Sequence, residues 1–135
     1  MYNLSDIDTV KSILTRHGFT FSKALGQNFL VNDEVCPAMA EEAVRDSETG
    51  VIEIGAGVGV LTAELCKRAK KVVSVELDKR LLPVLEETLA DFDNFEVVNA
   101  DILKLDLKEL IKDNPMGQGK ELTPILLIRE KKEEE

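Results

Sequence analysis

Val51-Ile52-Glu53-Ile54-Gly55-Ala56-Gly57-Val58-Gly59 decides the fold. Its first four residues are a short, mostly β-branched run ending at glycine, which reads as a strand. Three glycines at alternate positions follow directly, and Val60 to Ala69 then read as a helix. A strand, a glycine turn and a helix in immediate succession open a parallel strand–helix–strand unit. Glycine reaches positive φ and lets a ligand approach the backbone closely. A tight strand-to-helix turn with no ligand would use the same residues, so the motif acquires meaning from its surroundings.

Downstream, Val72-Val73-Ser74-Val75 is a second strand and Phe95-Glu96-Val97-Val98 a third. Between them Asp78 caps a helix with Leu81, Leu82, Leu85 and Leu89 on one side. A short helix is expected over Leu107 to Lys112. A loop follows over 114–119, then a fourth strand over Pro124 to Ile128 and a charged, solvated run from Arg129 to Glu135. Upstream, Ser5 with Asp8 three residues later starts a helix carrying Ile7, Val10, Ile13 and Leu14, which His17 and Gly18 end. Asn32 or Asp33 caps a second helix to about Arg45, with Val35, Met39 and Val44 inward. Right-handed crossovers then make an α/β fold, a parallel sheet of three or four strands flanked by helices. Three segments are expected: an N-terminal helix and arm over 1–31, a nucleotide-binding half-fold over 32–113, and a divergent tail over 114–135.

In such a sheet the strand ends point to one crevice, where ligands bind. Glu76 ends the second strand and can accept hydrogen bonds from both hydroxyls of an adenosine ribose, or be an ordinary surface carboxylate. Asp101 follows the third strand and can accept from an adenine amine, or cap the helix that begins at Ile102. The glycine spacing is G-x-G-x-G, not the G-x-G-x-x-G of the dinucleotide fingerprint. Glu53 lies two residues before the first glycine, where it would repel a pyrophosphate and suit a cofactor with a cationic end. S-adenosylmethionine, with its ammonium and sulfonium, is therefore preferred to a nicotinamide dinucleotide. Lys23-Ala24-Leu25-Gly26-Gln27-Asn28-Phe29-Leu30 can fold over the methionine end, with Asn28 offering amide groups, or be a plain connection.

Composition bounds the rest. The 135 residues suit one domain, and 44% hydrophobic with 32% charged residues excludes a disordered tail. Cys36 and Cys66 form no C-x-x-C pair, and His17 is the sole histidine, so a metal centre or redox motif is not expected. Two buried free thiols suit a reducing cytoplasm. No apolar run is long enough to span a membrane, and the start shows no secretory pattern. Seventeen basic against 26 acidic residues give a net charge of −9, which argues against nucleic acid as a partner of the whole surface. The charge is local, however. Residues 25–113 hold ten basic and nineteen acidic groups, whereas residues 1–24 are slightly basic.

Gly26-Gln27-Asn28-Phe29-Leu30, Glu53-Ile54-Gly55-Ala56-Gly57-Val58-Gly59, Val75-Glu76-Leu77-Asp78 and Asn99-Ala100-Asp101 together resemble the ribosomal RNA adenine dimethyltransferases. The branch most resembled is the bacterial one acting on 16S rRNA, and the likeness runs from about Phe19 to Ile111. It implies a partial Rossmann-like methyltransferase fold, S-adenosylmethionine as cofactor, and adenines of the small ribosomal subunit as substrate. It implies that Asn28 and Leu30 contact the methionine end and that Gly55, with Gly57 and Gly59, gives close backbone approach. Glu76 would hold the ribose, Asp101 the adenine amine, and Lys23 would face RNA. The family's Asn-Leu-Pro-Tyr motif, which orients the target amine and stacks on the flipped base, is not found. No catalytic residue is therefore assigned, and the chain is expected to retain much of the adenosine pocket while transferring methyl groups poorly. A non-catalytic cofactor- or RNA-binding fragment and a small-molecule methyltransferase are the alternatives. Weak, salt-sensitive RNA binding and self-association through an exposed sheet edge are expected.

Overall fold

The computed structural model describes residues 2–19, 35–113 and 122–125. Its sheet has four parallel strands, β1 (Gly50–Ile54), β2 (Lys71–Glu76), β3 (Phe95–Asn99) and β4 (Leu122–Ile125), in the order β3-β2-β1-β4. The register sets Val51 beside Val72 and Ile54 beside Val75, then Val75 beside Val98 and Glu76 beside Asn99. On the other side of β1, Ile52 stands beside Pro124. A proline has no N–H for a ladder, and β4 tolerates it because, among the described residues, β4 pairs with β1 alone.

Parallel neighbours need crossovers, and helices supply them. Helices α1 (Ile7–Arg16) and α2 (Val35–Ala43) precede the sheet, and α3 (Val60–Cys66) joins β1 to β2. A 3-10 turn (Lys79–Leu81) and α4 (Leu82–Thr88) join β2 to β3, while a second 3-10 turn (Ile102–Lys104) and α5 (Leu107–Asp113) follow β3. Alternation along the strands divides the core between the two sheet faces. Val51 and Val72 lie with Leu61, Leu65, Leu85 and, from α1, Val10, Ile13 and Leu14. Ile52, Val73 and Val75 lie in a second cluster with Leu110. Burial on both faces explains why β1 and β2 read as near-continuous apolar runs.

Several boundaries differ from the sequence expectations. The residue that caps α1 is Asp6, not Ser5, and its carboxylate accepts from the Thr9 hydroxyl at 2.7 Å. The other end is as expected, with His17 at the cap and Gly18 at φ 84°. Helix α2 turns Cys36 and Ala40 inward, and Val44, just past its end, is buried too, whereas Met39 is exposed. An i, i+4 stripe through Ala40 puts position 39 about 100° off its centre. Helix α3 stops at Cys66, three residues early, because the Asn94 amide donates to the carbonyls of Cys66 (2.8 Å) and Ala69 (3.0 Å). That side chain satisfies orphan carbonyls at the helix end. The expected cap at Asn32 or Asp33, the loop over 114–119 and the charged run after Ile128 lie outside the described residues.

Candidate functional site

The glycine loop follows β1, Glu76 ends β2 and Asp101 stands two residues past β3, all at the C-terminal end of the parallel sheet. The Gly55 N–H extends the ladder to the Val75 carbonyl at 2.8 Å. Gly57 then adopts φ 60°, which presents its N–H to Glu76 Oε1 at 3.0 Å. Glu76 Oε2 accepts from the Asp78 N–H, also at 3.0 Å. One buried carboxylate therefore ties the glycine loop to the turn after β2. A carboxylate has about four acceptor positions, so these two bonds leave capacity for further donors.

Asn99, opposite Glu76 in β3, fixes that turn from the other side. Its amide donates to the carbonyls of Glu76 (2.8 Å) and Leu77 (3.2 Å), and the Ala100 N–H donates to the Glu76 carbonyl at 3.2 Å. Leu77 is held with 63% of its surface exposed, an apolar side chain displayed beside a carboxylate. Asp101 Oδ1 accepts from the Leu103 N–H at 3.0 Å and caps the second 3-10 turn.

Glu53 sits elsewhere. Its side chain is fully enclosed, and Oε1 accepts from the Thr62 hydroxyl and from the Ser74 hydroxyl at 2.7 Å. It thereby ties the first turn of α3 to the centre of β2. Burial, helped by the Glu53 charge, pushes the nearby Cys66 thiol up to about 12, and Cys36 is buried as well. A thiol in that state is a poor nucleophile at neutral pH.

Lys23, Asn28 and Leu30 lie outside the described residues. Their segment nevertheless has a described point of entry. The Phe19 ring lies under the Arg80 guanidinium at 5.0 Å, in the turn that begins two residues after Glu76. Sequence reasoning quoted Asn99 and Leu77 within their motifs but gave neither a role, and it missed Thr62 and Ser74 altogether as polar partners. Ser74 did carry a signal, because a lone hydroxyl within Val-Val-Ser-Val on a doubly buried strand requires a polar partner. No group of three or more metal-ligating side chains occurs among the described residues, and no described helix is long and apolar enough to cross a membrane.

The family model for ribosomal RNA adenine dimethylase matches residues 18–134. The ribosomal RNA small subunit methyltransferase A of Bacillus mycoides (strain KBAB4) is 47% identical over 113 residues, covering 84% of this chain and 39% of that protein. Its counterpart in Bacillus cereus (strain B4264) matches to the same extent. The chain thus spans about two fifths of the length of these curated relatives. Among solved structures, the 23S rRNA methyltransferase ErmE superposes with a TM-score of 0.53 at 41% identity, over 56% of this chain and 31% of that one. The N-terminal domain of EvdMO1, solved with SAH bound, shares the fold at a TM-score of 0.57 and 21% identity, over 78% of this chain and 50% of that one. The sheet and its helices are accordingly a Rossmann-like methyltransferase fold, and the chain belongs to the ribosomal RNA adenine dimethylase family.

Proposed function

We propose that the chain is the cofactor-binding portion of an S-adenosylmethionine-dependent adenine dimethyltransferase acting on 16S rRNA of the small ribosomal subunit. The observation that carries this reading is the Glu76 carboxylate. It is buried at a strand end, clasps the glycine loop through Gly57, and keeps acceptor capacity where an adenosine ribose would lie. The donor set suits the group. Glu76 would take the ribose hydroxyls, Asp101 the adenine amine through acceptor positions left by its cap, and Leu77 would offer an apolar face to the base. Gly55, Gly57 and Gly59 would admit the cofactor close to the backbone. Asn28 and Leu30 would hold the methionine end, and the Phe19–Arg80 contact supports this by starting their segment beside the site. Glu53 would act from beneath by holding α3 against β2 through the Thr62 and Ser74 hydroxyls. Lys23 would face RNA.

When bound, the cofactor's sulfonium supplies an electrophilic methyl group. What the chain contributes is binding and orientation. Its 135 residues contain no Asn-Leu-Pro-Tyr run to accept the protons of a target adenine amine, so binding without efficient turnover is the expected behaviour. Two buried thiols agree with a reducing, cytoplasmic location.

Titration calorimetry tests the reading. The chain should bind S-adenosylmethionine in preference to NAD, and Glu76→Ala should weaken it by about 2–3 kcal/mol through lost charge-assisted hydrogen bonds. Tighter binding of NAD, or unchanged affinity in Glu76→Ala, refutes it. Robust methylation of 30S particles by the purified chain would overturn the expected lack of turnover.

A further inference from the structure

Glycine loops need a floor, and here α4 provides it. Thr88, the last residue of α4, is buried, and its hydroxyl donates to the Val58 carbonyl at 2.8 Å across thirty residues of sequence. Val58 lies between Gly57 and Gly59 and is itself fully buried. A Cβ placed on Gly59 would stand 3.1 Å from Thr88 Oγ1 and 3.3 Å from both Leu85 Cδ2 and Leu89 Cγ. The loop therefore rests directly on this one helix face. Val84, Leu85 and Leu89 are the other buried residues there, all apolar. Thr88 is the single hydroxyl among them, and it meets a loop carbonyl.

We propose that Thr88 is a positioning residue for the cofactor, setting the glycine loop from beneath through Val58. This rests on the reading of that loop as the cofactor cradle. Two side chains from different elements grip neighbouring parts of the loop, Glu76 at the Gly57 N–H and Thr88 at the Val58 carbonyl. Without the Thr88 hydroxyl the buried carbonyl loses its partner and turns toward water. That rotation also moves the Gly59 N–H, which shares the peptide and donates to the Ala56 carbonyl at 3.0 Å. The Ala56–Gly57 peptide then loses its anchor, and with it the Gly57 N–H that Glu76 holds, disturbing the carboxylate that would receive the ribose.

The test compares the full chain with Thr88→Val, which removes the hydroxyl at constant shape, and Thr88→Ser, which keeps it. Leu14→Val, buried in α1 and remote in sequence from the loop, serves as a stability control. S-adenosylhomocysteine binding is measured by calorimetry, and amide exchange over residues 55–59 is measured without ligand. Thr88→Val should weaken binding about five- to tenfold, the size of one hydrogen bond, and speed exchange in the loop. Thr88→Ser should behave as the parent chain, and Leu14→Val should lower Tm with no change in binding. Thr88→Ala replaces Thr88→Val should the latter not fold. Parental binding in Thr88→Val, or a loss matched by Leu14→Val at equal Tm, overturns the proposal. Should the parent chain bind no S-adenosylhomocysteine, the cofactor reading fails by itself. Loop exchange then still decides Thr88, because an unchanged rate in Thr88→Val overturns its role.

Discussion

Gly59 shows how much a single residue carries in this protein. It stands at φ 96°, where side chains are strained, and the space its Cβ would need is already taken by Leu85, Thr88 and Leu89. Backbone strain and overpacking act together there, so Gly59→Ala should destabilise the chain by about 2–4 kcal/mol. Chemical denaturation measures this directly, and a loss below 1 kcal/mol would show that the loop yields easily. The third glycine of the motif is thus demanded by packing against α4, whatever it also does for a ligand. Gly57 answers to a different constraint, the hydrogen bond its N–H makes to Glu76.

At the level of elements, the joint between α1 and α4 stands out. Arg16 donates through Nη1 and Nη2 to the two oxygens of Glu87, at 3.0 and 2.6 Å, and His17 Nε2 lies 3.0 Å from Oε1. These contacts hold the Glu87 carboxyl down to about 2, chiefly through Arg16, with His17 and Tyr2 helping and partial burial opposing. A carboxyl depressed in the folded state stabilises above its unfolded pKa, near 4.5, and loses that contribution as pH falls toward 2. The Arg16 side chain is half exposed, so solvent screens the pair and its contribution is modest. Glu87→Gln should flatten the acid limb of stability between about pH 4.5 and pH 2. Unfolding curves of the two proteins across that range provide the check, and parallel acid limbs would remove Glu87 from the account. Phe19 follows this joint and its ring meets Arg80, so the clamp also fixes the chain just after α1.

For the molecule as a whole, two sheet edges matter. Among the described residues β3 and β4 each have one paired neighbour, and unpaired strand edges template association. Glu96 and Asn99 blunt β3 by being exposed and polar, yet Phe95, Val97 and Val98 remain only half-buried. Sedimentation velocity should therefore show concentration-dependent self-association of the purified chain. A sharp monomer boundary across a hundredfold range of concentration would contradict this. The net charge of −9 limits such association at low salt through repulsion, so added salt should strengthen it.

What the sequence determined by itself was local or periodic. Val-Ile-Glu-Ile before three glycines, Val-Val-Ser-Val before Glu76 and Phe-Glu-Val-Val before Asp101 announce strands whose ends share a crevice, because chain direction in a parallel sheet leaves no other arrangement. The same motifs announced the family. Side-chain direction was not legible at that level. Only tertiary packing turned Glu53 inward onto Thr62 and Ser74, brought Asn99 onto the turn after Glu76, ended α3 with Asn94, and placed the Thr88 hydroxyl under Val58. Each of these bonds joins residues from nine to thirty positions apart. No spacing rule reaches that far, and buried polar groups find their partners only once the sheet and helices have closed around them.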